Sequence, residues 1–198
     1  RISITNCRFT SNRCDLPGHS PNAPGGGVYS YNSQLEIASS VFEANNAGYV
    51  GGAVYDAAPW TTTEKLVEIK NCLFYNNHAL RDASVSFNAP ALGGAVHVEE
   101  NITLNINNCN FTNNVSTQAG AISTYRSVTN IDHCLFRGNK ALALGTNGEG
   151  TGGAISALSA DGAGEPNRRS ITLNISDCVF IGANDGSPDA KEGGQIFA

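Results

Sequence analysis

Two short phrases alternate along the chain, and together they leave few folds open. The first reads apolar-x-apolar-x-x-Cys-x-Phe-x-x-Asn and occurs, with small departures, at residues 2–12, 35–45, 67–77, 104–114, 129–139 and 173–184. The second reads Gly-Gly-Ala-Val/Ile and follows each copy of the first, beginning at Gly25, Gly51, Gly93, Ala119, Gly152 and Gly193. About six copies spaced roughly 25 to 44 residues apart lie in the range of architectures that stack one unit on the next.

The copy at 67–77 shows what the unit is. Val67 and Ile69 alternate with Glu68 and Lys70, the period of a strand with one apolar face. Cys72 and Phe74 alternate too, but in the opposite phase, so Asn71 is an extra residue that must bend the chain between two short strands. The equivalent positions are Asn6, Ser39, Asn108, His133 and Asp177, mostly residues that tolerate a left-handed or turn conformation. A bend at the same place in every copy means that every copy turns the same corner. Strands that do this coil, and successive rungs pair in parallel. The Gly-Gly-Ala phrase opens another strand, with Val28, Val54, Val96, Ile122, Ile155 and Ile196 as its apolar position. The small residues ahead of it allow a tight turn or the close approach of a neighbouring rung. Helix is a poor reading, because the runs are short, β-branched and bounded by Gly and Asn.

Connections are long at 13–24, 78–92 and 140–151, short at 46–50 and 115–118, with further excursions at 57–64 and 158–169. Unequal loops leaving a constant frame at its corners suit a solenoid. The expected fold is therefore all-β: a right-handed single-stranded parallel β-helix of about six rungs with long loops at the corners. It forms a single domain over residues 1–198, on the order of 30 Å long at ~4.8 Å per rung.

Composition narrows the partners. Charged residues make up 15% of the chain and the net charge is −5, which argues against nucleic acid, since that needs a basic patch. The one tight basic pair, Arg168-Arg169, lies in a Gly/Pro/Asn-rich loop and reads as a solvated loop. No apolar run is long enough to span a membrane. The chain has no methionine, so a processed chain or a fragment of a longer solenoid is expected. Its strand-like start and its end at "GGQIFA" suggest that further rungs, or other copies, continue the prism at both ends.

The paired Gly-Gly-Ala-Ile/Val and Phe-x-x-Asn motifs resemble the repeats of polymorphic outer membrane proteins, the autotransporter-type surface proteins of chlamydiae. The resemblance runs over essentially the whole chain, with departures at "FIGAN", "AGAI" and "GGQI". It implies a surface-exposed β-helical passenger engaged in adhesion or surface architecture. The membrane-anchoring barrel of such proteins is not in this sequence.

The chemically interesting residues fall mostly into scaffold registers. Asn12, Asn45, Asn77, Asn114 and Asn139 form one column. These read as a ladder of side-chain amides that also satisfies turn backbone. Phe9, Phe42, Phe74, Phe111, Phe136 and Phe180 form a second. Cys7, Cys72, Cys109, Cys134 and Cys178 form a third, with Ser40 in the missing place. No Cys-x-x-Cys spacing occurs, so no chelating metal motif is read, and the cysteines read as buried thiols beside the phenylalanines. A disulfide between neighbouring rungs such as Cys72 with Cys109, or a Cys7–Cys14 staple, stays open.

Sequons occur at Asn101, Asn110, Asn114 and Asn174. Asn114 belongs to the ladder and should be inaccessible, leaving Asn101, Asn110 and Asn174 as candidate glycan acceptors. Tyr29, Tyr55 and His97 share one register and, with Trp60 in a loop, form either a sugar-stacking strip or a partly packed outer face.

The fold also hosts polysaccharide lyases, hydrolases and epimerases, which need clustered carboxylates. Here Asp15, Asp82, Asp161, Asp185 and Asp189 are scattered over loops. "IDHC" (131–134) resembles a phrase near the calcium site of pectate lyases, yet its Asp132 and His133 merely occupy the outward and corner positions of the common repeat. No catalytic residue, metal or cofactor is expected. The expected function is an extracellular or cell-surface module for adhesion or surface architecture. It would bind surface glycans or proteins through its long loops. A filament or wall building block and a polysaccharide-active enzyme are the alternatives.

Overall fold

In a computed structural model of the chain, residues 1–14, 23–59, 63–80, 90–142, 150–159, 171–182 and 194–198 are described. They form a parallel β-helix without helices, its short strands stacked in register into four sheets. The first sheet holds Ile2–Thr5, Leu35–Ala38, Lys65–Lys70, Ile102–Asn107, Val128–Asp132 and Thr172–Ser176. The second holds Arg8–Thr10, Val41–Glu43, Leu73–Tyr75, Asn110–Thr112, Leu135–Arg137 and Val179–Ile181. The fourth holds Val28–Tyr31, Val54–Ala57, Val96–Glu99, Ile122–Tyr125, Ile155–Leu158 and Ile196–Phe197.

The third sheet is invisible in the periodicity. Arg13–Cys14, Asn46–Ala47, His78–Ala79, Val115–Ser116 and Lys140–Ala141 are two-residue strands that lie just past the ladder asparagines. Single parallel bridges through Pro24, Val50, Leu92, Gln118 and Thr151 then bring the chain back before each Gly-Gly phrase. The segments read as connections therefore begin and end as ladder, and the excursions leave only between those points.

Each corner is a residue in the left-handed region. The predicted bends Asn6, Ser39, Asn71, Asn108, His133 and Asp177 have φ of 56°, 49°, 56°, 52°, 51° and 48°. A second bend, at Ser11, Ala44, Asn76, Asn113 and Gly138, precedes each ladder asparagine. A third falls on the first residue of the Gly-Gly phrase, including Ala119 at φ 60°. Space is tight at both glycines of the phrase: a Cβ on Gly93 would lie 2.2 Å from the Val96 carbonyl oxygen of its own turn, and one on Gly94 2.1 Å from the Gly120 carbonyl oxygen one rung away. In the "AGAI" departure alanine takes the left-handed corner, a conformation that costs a non-glycine residue roughly 1–2 kcal/mol, and the glycine after it, Gly120, would place a Cβ 2.2 Å from the Gly153 oxygen.

The core fills the coil. Ile4, Ile37, Ile69, Ile106, Ile131 and Ile175 run in one inward column of the first sheet, each in register with the next. The phenylalanines stack face to face, centroids 4.7–5.0 Å apart and interplanar angles of 7° or less. Phe42, Phe74, Phe111 and Phe136 are fully buried. Each such side chain contributes on the order of 2–3 kcal/mol by burial, and the stacking adds to that.

Candidate functional site

The repeated polar residues lie inside. The middle ladder amides each donate one bond to the next coil's amide oxygen and one to a backbone carbonyl. Asn77 Nδ2 bonds Asn114 Oδ1 and the Phe42 carbonyl, both at 3.0 Å, while its Oδ1 accepts from the Asn45 backbone N–H at 3.1 Å and Asn45 Nδ2 at 2.9 Å. Asn45 and Asn114 repeat the pattern, while among the described residues Asn12 makes the amide bond and Asn139 the carbonyl bond. Asn45, Asn77, Asn114 and Asn139 are fully buried, so this column is scaffold and does not meet a ligand. Asn12 alone in it is exposed.

All six cysteines are free thiols. Cys7 is exposed and donates to the Thr5 carbonyl at 3.3 Å, while Cys14 lies on the third sheet in register with Ala47. Ser40 takes the thiol's role in its coil: its Oγ donates to the Ala38 carbonyl at 2.8 Å and accepts from the Cys7 N–H at 3.1 Å.

The Tyr29, Tyr55, His97 column is a stack, with ring centroids 5.2 and 5.7 Å apart, but it is not an open strip. His97 is 0% and Tyr55 8% exposed. Tyr49, Val50, Ala57 and Leu92 pack around Tyr55. Among the described residues of that strip only Tyr29, 55% exposed, offers a ring face to a sugar, together with Tyr31 in the neighbouring outward column. Tyr55 donates its hydroxyl to Glu99, and burial together with that carboxylate pushes the Tyr55 pKa up. Burial works to raise the Glu99 carboxyl, and His97 and Tyr55 outweigh it, leaving its pKa below the ordinary value.

The open polar face is the outside of the first sheet. Glu36 pairs with Arg1 at 2.6 Å and Lys70 at 2.9 Å. Asn174, Asn130 and Asn105 form an outward amide chain with 2.8 Å bonds. Beside it, Asp132 accepts from Ser176 Oγ at 2.7 Å and Asn107 Nδ2 at 3.0 Å and meets His133 Nδ1 at 2.7 Å. Ser176 and then His133 hold the Asp132 carboxyl below its usual range, and Asp132 raises the His133 pKa. Asp132, His133 and Asp177 bring one possible ligand atom each within 4.8 Å of one another. Asp132 was legible as outward and His133 as a corner. The nearness of Asp177 was missed although the signal was present, because it holds the same corner one coil on.

One interior residue was also overlooked. Asp56 stands two after Val54, so parity points it inward, in register with Ser30 and Val98. It is 1% exposed, and among the described residues neither carboxylate oxygen makes a well-formed hydrogen bond. Burial pushes its pKa up to about 7, and the nearby Ser30 hydroxyl and Ala57 amide offset only part of that.

Of the sequons, Asn110 is exposed on the second sheet's outer face. Asn174 is exposed but tied to Asn130, and Asn101 is half-buried at a corner with φ 45°. Trp60, Arg168, Arg169, Asp15, Asp82, Asp161, Asp185 and Asp189 lie outside the described residues. No helix among the described residues is long and apolar enough to cross a membrane. No known protein family matches the chain, and neither a curated protein nor a solved structure matches it.

Proposed function

We propose that this chain is a non-enzymatic, extracellular or cell-surface display scaffold, of the kind its repeats resemble in polymorphic outer membrane proteins, serving adhesion or surface architecture. One observation carries the reading: most of what repeats is buried or turns a corner, and most of what is exposed varies from coil to coil. The second-sheet column Phe9 to Phe180 faces inward without exception. The outward column beside it runs Thr10, Glu43, Tyr75, Thr112, Arg137, Ile181. A frame that is constant inside and variable outside suits presentation of surfaces to partners.

The test is saturable binding of the folded chain to arrayed oligosaccharides and to cell surfaces, run beside a polysaccharide turnover assay. Binding without product supports the scaffold. Unsaturated or newly reducing sugar ends would contradict it and favour a polysaccharide-active enzyme, for which the Asp132, His133 and Asp177 grouping is the one supporting observation. A filament or wall building block is the other alternative. Concentration-dependent end-to-end assembly in sedimentation would support it.

A further inference from the structure

We infer that the column Cys72, Cys109, Cys134, Cys178 is a binding site for a soft, two-coordinate monovalent cation of the Cu(I) class, held between the sulfurs of adjacent coils. The inference stands independently of the adhesive reading.

The column is regular. Each thiol donates to the carbonyl two residues back, at 3.2 Å for Cys72, Cys109 and Cys134 and 3.0 Å for Cys178. Each of the last three sulfurs also accepts the backbone N–H of the cysteine one coil earlier, at 3.4 Å in every case. Identical contacts in in-register coils mean that one sulfur is the previous one displaced by a rung, about 4.8 Å.

That spacing selects among the chemistries open to two thiols. A disulfide needs sulfurs about 2.0 Å apart and Cβ atoms mostly within ~4.5 Å, so parallel side chains a rung apart would have to drag the backbone together. A linear sulfur–cation–sulfur unit needs sulfurs separated by twice a metal–sulfur bond, about 4.6 Å for bonds of the length zinc makes to sulfur, close to the rung spacing. Soft sulfur ligands select Cu(I)-like cations. Binding balances without an oxidant: one thiol loses its proton to solvent as its sulfur bonds the cation, and the neighbouring thiol binds through a lone pair. The pair stays neutral, as a water-excluded core demands, and the backbone N–H on the Cys109, Cys134 and Cys178 sulfurs supports a thiolate there. Cys72 and Cys109 are fully buried and Cys134 is 3% exposed, while Cys178 is half-buried and gives the way in.

Sequence spacing concealed this site because its ligands lie 25 to 44 residues apart. Ser40 shows that the register accepts serine, which supplies the controls. In a Cys7→Ser/Cys14→Ser background, Cys72→Ser/Cys109→Ser keeps two adjacent thiols. Cys109→Ser/Cys178→Ser keeps two thiols with a serine between them. Both are titrated anaerobically with Ag(I), a redox-inert probe of the same linear chemistry.

The expected result is a rise in thermal midpoint of about 5 °C or more for the adjacent pair and none for the separated pair. Equal shifts in the two, or a fall in both, would overturn the inference. Where a double variant fails to fold, native mass spectrometry of the wild-type chain decides: silver on the compact charge states supports the site, and silver only on unfolded ones refutes it.

Discussion

Replacing Asn77 with alanine tests whether the amide ladder holds the coils together. The side chain makes four hydrogen bonds, two given and two accepted, all between 2.9 and 3.1 Å. Each contributes roughly 1 kcal/mol net. Their loss leaves the Asn45 N–H and the Phe42 carbonyl buried without these partners, and a buried orphan costs a further 1–3 kcal/mol or so. The expected destabilisation is therefore about 5 kcal/mol or more, a large share of the roughly 5–15 kcal/mol that holds an ordinary domain folded. The neighbouring Asn76→Ala is the control. It keeps the ladder and strains only a corner with φ 54°, costing roughly 1–2 kcal/mol. Urea unfolding followed by circular dichroism measures both. The double variant Asn77→Ala/Asn114→Ala should cost clearly less than the sum of its singles, because they share a bond. If Asn77→Ala loses no more stability than Asn76→Ala, the ladder argument is wrong.

Three further outcomes follow from named residues. The Asp56 pKa of about 7 in the fold lies above its unfolded value near 3.8, so the neutral acid is tolerated below about pH 4. Stability is then lost as pH rises through 7, by about 4 kcal/mol in all. Asp56→Asn should flatten the thermal midpoint measured from pH 4 to 8, and an unchanged profile would count against a buried acid. Gly94→Ala, whose Cβ would lie 2.1 Å from the Gly120 oxygen, should cost several-fold more than Asn76→Ala in the same urea assay, and equal costs would contradict the close approach. The His133 ring should titrate above the ordinary histidine value by NMR and drop when Asp132 becomes asparagine. A titration indifferent to that change would remove the Asp132–His133 contact.

The frame was legible because its determinants are local. A phase slip at Asn71 or His133 marks a corner, and Phe74 or Ile69 marks a face. The third sheet escaped because two residues such as His78–Ala79 carry no period; rung-to-rung bonding alone makes them strands. The surface was less legible for a related reason. Whether Tyr55 is open to a sugar depends on Tyr49, Val50 and Leu92 packing beside it, and whether Asp177 comes near Asp132 depends on coil spacing, which sets Asp132 in register with Ser176, the residue before Asp177. Asp56 could have been placed by parity alone, since two residues after an inward valine the side chain points inward again.

The central claim is that successive coils pair in parallel and in register. Nuclear Overhauser contacts across the second sheet test it most directly. Leu73 is flanked by Val41 and Asn110, with its N–H bonded to the Ser40 carbonyl and the Asn110 N–H bonded to the Cys72 carbonyl. The account predicts amide-to-Hα contacts that link residues 72–75 to residues 40–43 and 109–112 in that register. Facing Hα–Hα contacts between strands that follow one another in sequence, such as 65–70 and 73–75, would mean antiparallel hairpins and would contradict it.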